Sequence, residues 1–128
     1  MEDRAPLQPT FIGYINTTDD AMAVITACLQ GYLQHLPRRL SQLDRVRLIS
    51  SRSVFVYETG CSGITTWDDG MRWEPVHEHD GICIHRMVVD TAFLRHQGGV
   101  LFRKTMNIKI GQCVHCLVAY YDEHNLEL

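Results

Sequence analysis

The chain has 128 residues, 45% hydrophobic and 21% charged, which suits one globular domain with a core of its own. Its net charge of −3 argues against a uniformly basic nucleic-acid binder, and no apolar run approaches the ~18 residues of a membrane-spanning helix. Five cysteines, an odd number, and a start without a basic-then-apolar signal pattern fit a reduced intracellular compartment better than a disulfide framework.

Thr17, with Asp20 three residues on, has the capping-box spacing. Ala21, Val24, Ile25, Cys28 and Leu29 then recur on one helical face, and Gly31 is a stop signal, so a helix is predicted over 18–30. Arg38, Arg39, Arg45, Arg47 and Arg52 follow against Asp44 alone, a local excess of four positive charges over 38–52. Within that stretch Ser41 and Asp44 form a second capping box. It predicts a shorter helix near 42–50 with Leu43, Val46, Leu48 and Ile49 as apolar positions, and with Arg45 and Arg47 turned towards solvent or a ligand.

Residues 53–58 are β-branched and aromatic on both faces, the pattern of an inner strand. Gly60 to Gly63 reads as a turn. Ile64–Trp67 and Met71–Val76 are expected to pair as a hairpin across Asp68-Asp69-Gly70, and Ile82–Val88 forms another strand. Residues 89–98 read as a connector running into Gly98-Gly99. Val100–Ile110 and Cys113–Tyr121 close the chain as a hairpin around Gly111-Gln112. Residues 99–110 carry Arg103, Lys104 and Lys109 with no acid. The charge map therefore suits a basic stripe on an acidic body, although arginines on solvated faces would give the same map.

Seven histidines and five cysteines raise the question of metal. Cys113-Val114-His115-Cys116 has the CxxC spacing of a zinc knuckle, with His77, His79, Cys83 and His85 available to complete a site. In a strand, however, Cys113 and Cys116 face opposite ways. No metal or cofactor is therefore expected, and a small zinc-binding domain stays as a lesser alternative. Cys61 or Cys113 beside His115 could in principle pair nucleophile and base. No nucleophile motif or phosphate-binding loop surrounds them, so no enzyme is expected.

Several motifs recur in a defined order. Phe11-Ile-Gly-Tyr-Ile-Asn-Thr-Thr-Asp-Asp-Ala21 is followed by Pro37-Arg-Arg-Leu-Ser41 and Ser51-Arg-Ser-Val-Phe-Val-Tyr57. Next come Ser62-Gly-Ile-Thr-Thr-Trp-Asp-Asp-Gly-Met-Arg-Trp-Glu-Pro75, Leu101-Phe-Arg-Lys-Thr-Met106, Gly111 and His115-Cys-Leu-Val-Ala-Tyr-Tyr121. Together they resemble the WOPR family, the DNA-binding domain of fungal regulators of morphology and development. The resemblance implies an α+β fold: a single domain, mainly antiparallel β-sheet, interlocked from an N-terminal half (10–88) and a C-terminal half (99–122) across a connector (89–98), with two or more flanking helices. It implies a protein that binds double-stranded DNA sequence-specifically at an A·T-rich site and regulates transcription in a fungal nucleus. It would be monomeric on DNA, with room for protein partners in transcription complexes and no membrane role. A divergent protein-interaction module without DNA binding is the alternative.

Phosphate contacts need cations or hydroxyls, and base edges favour Arg with guanine. The candidate DNA contacts are therefore Arg38, Arg39, Arg45, Arg47, Arg52, Thr65, Thr66, Trp67, Arg72, Arg103 and Lys104. Of these, Arg72 has Asp68 and Asp69 as competing partners, and Trp67 has packing as a competing role. Two departures from the family stand out. Thr66 precedes Trp67 where members usually have a cation, and Arg52 stands where they commonly have glycine.

Overall fold

The computed structural model describes residues 6–88 and 100–122. The predicted connector at 89–98 lies outside the described residues.

The described chain runs β1 (Phe11–Ile12), α1 (Thr18–Leu29), α2 (Gln42–Leu48), β2 (Ser53–Glu58), α3 (Thr59–Ser62), β3 (Trp73–His79), β4 (Ile82–Met87), β5 (Leu101–Ile110) and β6 (Cys113–Asp122). The strands make one six-stranded antiparallel sheet in the order β1-β2-β6-β5-β4-β3. The closing hairpin β5–β6 is thus wedged between β2 and β4, and the sheet is interlocked from early and late segments as expected. Removing that hairpin would leave backbone donors and acceptors of β2 and β4 unpaired.

Both capping boxes form. Thr17 Oγ1 accepts from the Asp20 N–H at 3.1 Å while Asp20 Oδ2 accepts from the Thr17 N–H at 3.1 Å. Ser41 Oγ accepts from the Asp44 N–H at 3.1 Å, and Asp44 Oδ2 accepts from the Ser41 N–H at 2.8 Å. α1 buries Ala21, Val24, Ile25 and Cys28 of the predicted face, but Leu29, the last residue of the helix, is 49% exposed. α2 differs from expectation. Leu48 is buried, but Leu43 and Val46 are 70% and 79% exposed. A two-turn helix has too few residues to present a full apolar stripe, and here the buried flank belongs to Asp44.

All six residues of β2 are buried. Alternation sends Val54 and Val56 into a core with α1, Leu117 and Ala119, while Phe55 and Tyr57 join a second core on the other face with Leu48, Ile64, Val118 and Tyr120. The sheet is therefore covered on both faces here, which is why the β2 sequence lacks polar alternation.

Two expectations between β2 and β4 are corrected. The turn at Gly60–Gly63 is the short helix α3, capped by Glu58, whose carboxylate accepts from the Gly60 and Cys61 N–H groups at 2.9 and 2.8 Å. The hairpin across Asp68-Asp69-Gly70 does not form. Asp68 and Asp69 instead accept from the Gly70 and Met71 N–H groups at 3.0 and 3.2 Å, folding residues 63–72 into a loop. Trp73–His79 pairs with Ile82–Met87 across Asp80-Gly81. Asp80 and Gly81 have φ of 52° and 82°, the pair of positive values that a two-residue hairpin turn demands.

Candidate nucleic-acid interface

The loop 63–72 is held from beneath by one buried carboxylate. Asp69 is 5% exposed. Its Oδ2 accepts from Tyr120 Oη at 2.7 Å and Arg103 Nη1 at 3.0 Å, and its Oδ1 from Trp73 Nε1 at 3.0 Å. Trp67 Nε1 donates onward to Tyr120 Oη at 2.7 Å. Burial, and then the adjacent Asp69 carboxylate, push the Tyr120 hydroxyl well above its ordinary range, so it stays a donor. A buried charge with this many donors is well compensated, and losing one partner is costly.

Above this support the loop meets the first basic segment. Arg45 Nη2 pairs with Asp68 Oδ2 at 3.0 Å. Arg39, Arg45, Thr66, Trp67 and Asp68 line one shallow recess. Gly70, at φ 78°, lies under Arg45: a Cβ there would come within 3.2 Å of Arg45 Nη1. Glycine thus supplies both the left-handed turn and the clearance for the guanidinium.

The structure divides the sequence-predicted residues into groups. Arg39, Thr65, Thr66 and Arg72 are exposed, and neither Arg39 nor Arg72 has an ion pair among the described residues. Arg72 therefore does not pair with Asp68 or Asp69. Arg38 and Arg47 converge on Asp44 at 3.1 and 3.5 Å, and Arg47 also donates to the Leu7 carbonyl at 3.3 Å. Burial raises the Asp44 carboxyl, but the Ser41 and Arg38 hydrogen bonds and the Arg38 charge outweigh it and hold the group below its ordinary range. Trp67 stacks on Tyr57 with centroids 5.6 Å apart and packs against Phe55; its indole is part of the second core.

Arg52 stands elsewhere, exposed, with φ 83° and its guanidinium 5.4 Å from the centre of the Tyr14 ring. A left-handed backbone explains why glycine suits this position.

Arg103 and Lys104 do not extend the basic surface as their sequence suggests. Arg103 lies under the loop, on Asp69 and 4.6 Å from the Trp73 ring centre. Lys104 points to the other face, where Nζ donates to the Ile15 carbonyl and lies 4.8 Å from the Tyr121 ring centre. Burial lowers its pKa, with Asp20 opposing. Sequence reasoning missed Asp69 and Tyr120 as the loop's anchor. The available signal was Tyr120 itself, a hydroxyl in an apolar strand that needs a partner when buried.

Residues 10–92 match the model of the Gti1/Pac2 family. The chain is 48% identical over 75 residues to the global transcription regulator sge1 of Fusarium oxysporum f. sp. lycopersici, covering 59% of this chain and 23% of that protein. It is 41% identical over 88 residues to gluconate transport inducer 1 of Schizosaccharomyces pombe, covering 69% and 12%. The matched region thus spans less than a quarter of these relatives. Among solved structures, the fold resembles the WOPR domain of Wor1 from Candida albicans in complex with 13bp dsDNA. The TM-score is 0.80 at 30% identity, covering 94% of this chain and 80% of that one.

Proposed function

The chain belongs to the Gti1/Pac2 family, and from that premise we propose that it binds double-stranded DNA sequence-specifically and regulates transcription in the nucleus. The observation that carries this reading is the likeness, across 94% of the chain, to a WOPR domain solved on a DNA duplex. The family's curated relatives are transcription regulators, not enzymes. The contact surface we assign is the loop 63–72 together with the basic segment beside it. Arg39 and Arg72 supply cations without an ion pair among the described residues, Thr65 and Thr66 supply hydroxyls, and Arg45 can exchange Asp68 for a phosphate. Arg38 and Arg47 add positive field while sharing Asp44, and Arg52 forms a separate outpost. An A·T-rich target, read partly through groove shape, suits arginines of this kind. The domain acts on DNA as a monomer, and protein partners in transcription complexes engage it there.

Selection from random duplexes, followed by titration of the winner against scrambled DNA over a salt series, tests the reading. Each neutralised phosphate contributes a log–log slope of about −0.9, so a total slope of roughly −4 to −7 is expected. The protein-interaction alternative draws on the exposed Leu43 and Val46. A slope near zero with no selected sequence would favour it.

A further inference from the structure

The loop 63–72 carries a carboxylate in the middle of the contact surface assigned above. The Asp68 side chain is 70% exposed, with Oδ2 3.0 Å from Arg45 Nη2. Its Oδ1 accepts from the Gly70 N–H at 3.0 Å, so both oxygens are held. The residues on either side fix the backbone: Trp67 stacks on Tyr57, and Asp69 is buried against Tyr120, Trp73 and Arg103. Arg45 is placed as firmly. Its Cδ and Nη1 lie over Gly70, and its Nε is buried with no hydrogen-bond partner among the described residues. An anion fixed at this point opposes the approach of phosphate, so a surface that held only phosphates would be better without it.

Resting on the DNA-binding reading above, we propose that Arg45 and Asp68 act as one unit that reads a G·C base pair in the major groove, with Arg45 on guanine and Asp68 on the cytosine N4 amino group. The unit presents the donors of a guanidinium followed by the acceptor of a carboxylate. Along its major-groove edge a G·C pair offers the guanine N7 and O6 acceptors and then the cytosine N4 donor. An A·T pair breaks that run, because the adenine N6 donor stands between two acceptors. Guanine O6 and cytosine N4 are hydrogen-bonded to each other at about 2.9 Å, close to the 3.0 Å between Nη2 and Oδ2. The ion pair can therefore dock on the base pair without opening, and each of its groups gains a partner while keeping the other.

The groove follows from the same chemistry. In the minor groove an A·T pair shows acceptors only, which repel a carboxylate, so this part of the loop enters the major groove. The position it reads is a G·C pair within the otherwise A·T-rich target. On other sequences Arg45 can still leave Asp68 for a phosphate, but the carboxylate then faces the polyanion without its cation. Asp68 thus works twice for specificity. It gives a base-edge contact on the preferred duplex, and it lowers affinity for every other one. Both effects depend on the side chain being held before DNA arrives, which the Gly70 N–H and the buried neighbours ensure.

The 128-residue chain and its D68N variant are titrated with the duplex selected from random sequences, and with copies in which each cytosine in turn is replaced by 2-pyrimidinone, the base that lacks only the 4-amino group. D68N keeps an oxygen for the Gly70 N–H but puts an amide donor where Oδ2 stood, so it should melt with the parent. Wild type should lose affinity at least about fivefold at one cytosine, and D68N should lose none of that contact there. D68N should also bind scrambled DNA several-fold more tightly, which narrows the gap to the selected duplex. Equal losses in both proteins, or a D68N gain that is the same on every duplex, would overturn the proposal. A wild type that prefers no selected duplex over scrambled DNA sinks the DNA-binding reading together with it. A wild type with a preferred duplex but no response to any cytosine amino group sinks this inference alone.

Discussion

Two segments of this chain carry a local excess of positive charge, and the fold directs some of their cations differently. In the first, 38–52, Arg39 is exposed without an ion pair among the described residues, and Arg45 reaches a loop carboxylate that is itself 70% exposed. In the second, 99–110, Arg103 closes on buried Asp69 and Lys104 on a backbone carbonyl. A helix and its flanking loops let long side chains fan outwards. A central strand sends alternate residues into two covered faces, where a cation must find a partner or lose its solvation. Charge counted along the sequence is therefore surface charge at Arg39 but internal wiring at Arg103 and Lys104, and also at Arg38 and Arg47 on buried Asp44.

The sharpest way to break this comparison is at the wiring itself. Asp69→Ala strands the Tyr120 hydroxyl, the Trp73 indole N–H and the Arg103 guanidinium. It should cost ~3–5 kcal/mol in urea unfolding, a large part of a small domain's stability. Arg103→Met, which keeps the length of the stem, should cost about 2–3 kcal/mol while leaving the salt slope of DNA binding unchanged. Arg39→Ala and Arg72→Ala should do the reverse: stability within about 0.5 kcal/mol of the parent, and a salt slope shallower by about one unit each. A salt-slope change in Arg103→Met at intact stability would erase the distinction between the segments.

A weaker effect follows from His85, the register partner of Arg103 on β4. Burial, and then the Arg103 charge, lower its pKa from the ordinary 6.5, and its Nδ1 is buried without a partner among the described residues. The unfolded ring titrates at the ordinary value, so below about pH 6.5 the unfolded chain binds more protons than the folded one. Stability should then fall with pH until the folded ring also protonates. His35, lowered likewise, adds to the trend. His85→Asn should remove its own share, measured as the difference in Tm between pH 7.5 and pH 5.5.

The smallest expected effect is at Arg52. Relief of a left-handed residue, partly offset by the extra freedom of glycine in the unfolded chain, should make Arg52→Gly ~0.5–1 kcal/mol more stable. If Arg52 is a DNA outpost, the same variant should bind less tightly while melting higher; equal affinity would confine the interface to the loop and its neighbouring arginines.

Much of the fold was legible. The two capping boxes, the α1 face apart from Leu29, the inner strand β2 and the closing hairpin all rest on local rules, and the structure keeps them. The failures share a cause in competition. The chain has two Asp-Gly pairs, at 69–70 and 80–81, and either could close a hairpin. Only burial of the Asp69 carboxylate against Tyr120, a residue 51 positions away, decides that the first becomes a loop anchor and the second the turn. Leu43 and Val46 failed for a related reason, since periodicity names a face without saying whether anything lies opposite it.

By itself, the sequence determined where α1 and α2 start, that β2 is buried on both faces, and which family motifs stand in order, because caps, turns and alternation act over a few residues. The tertiary structure decided which arginines reach solvent, what Asp69 holds, and that His35 meets His115 across 80 positions. Those outcomes depend on the insertion of β5–β6 between β2 and β4. Only that long-range pairing sets which side chains share a face.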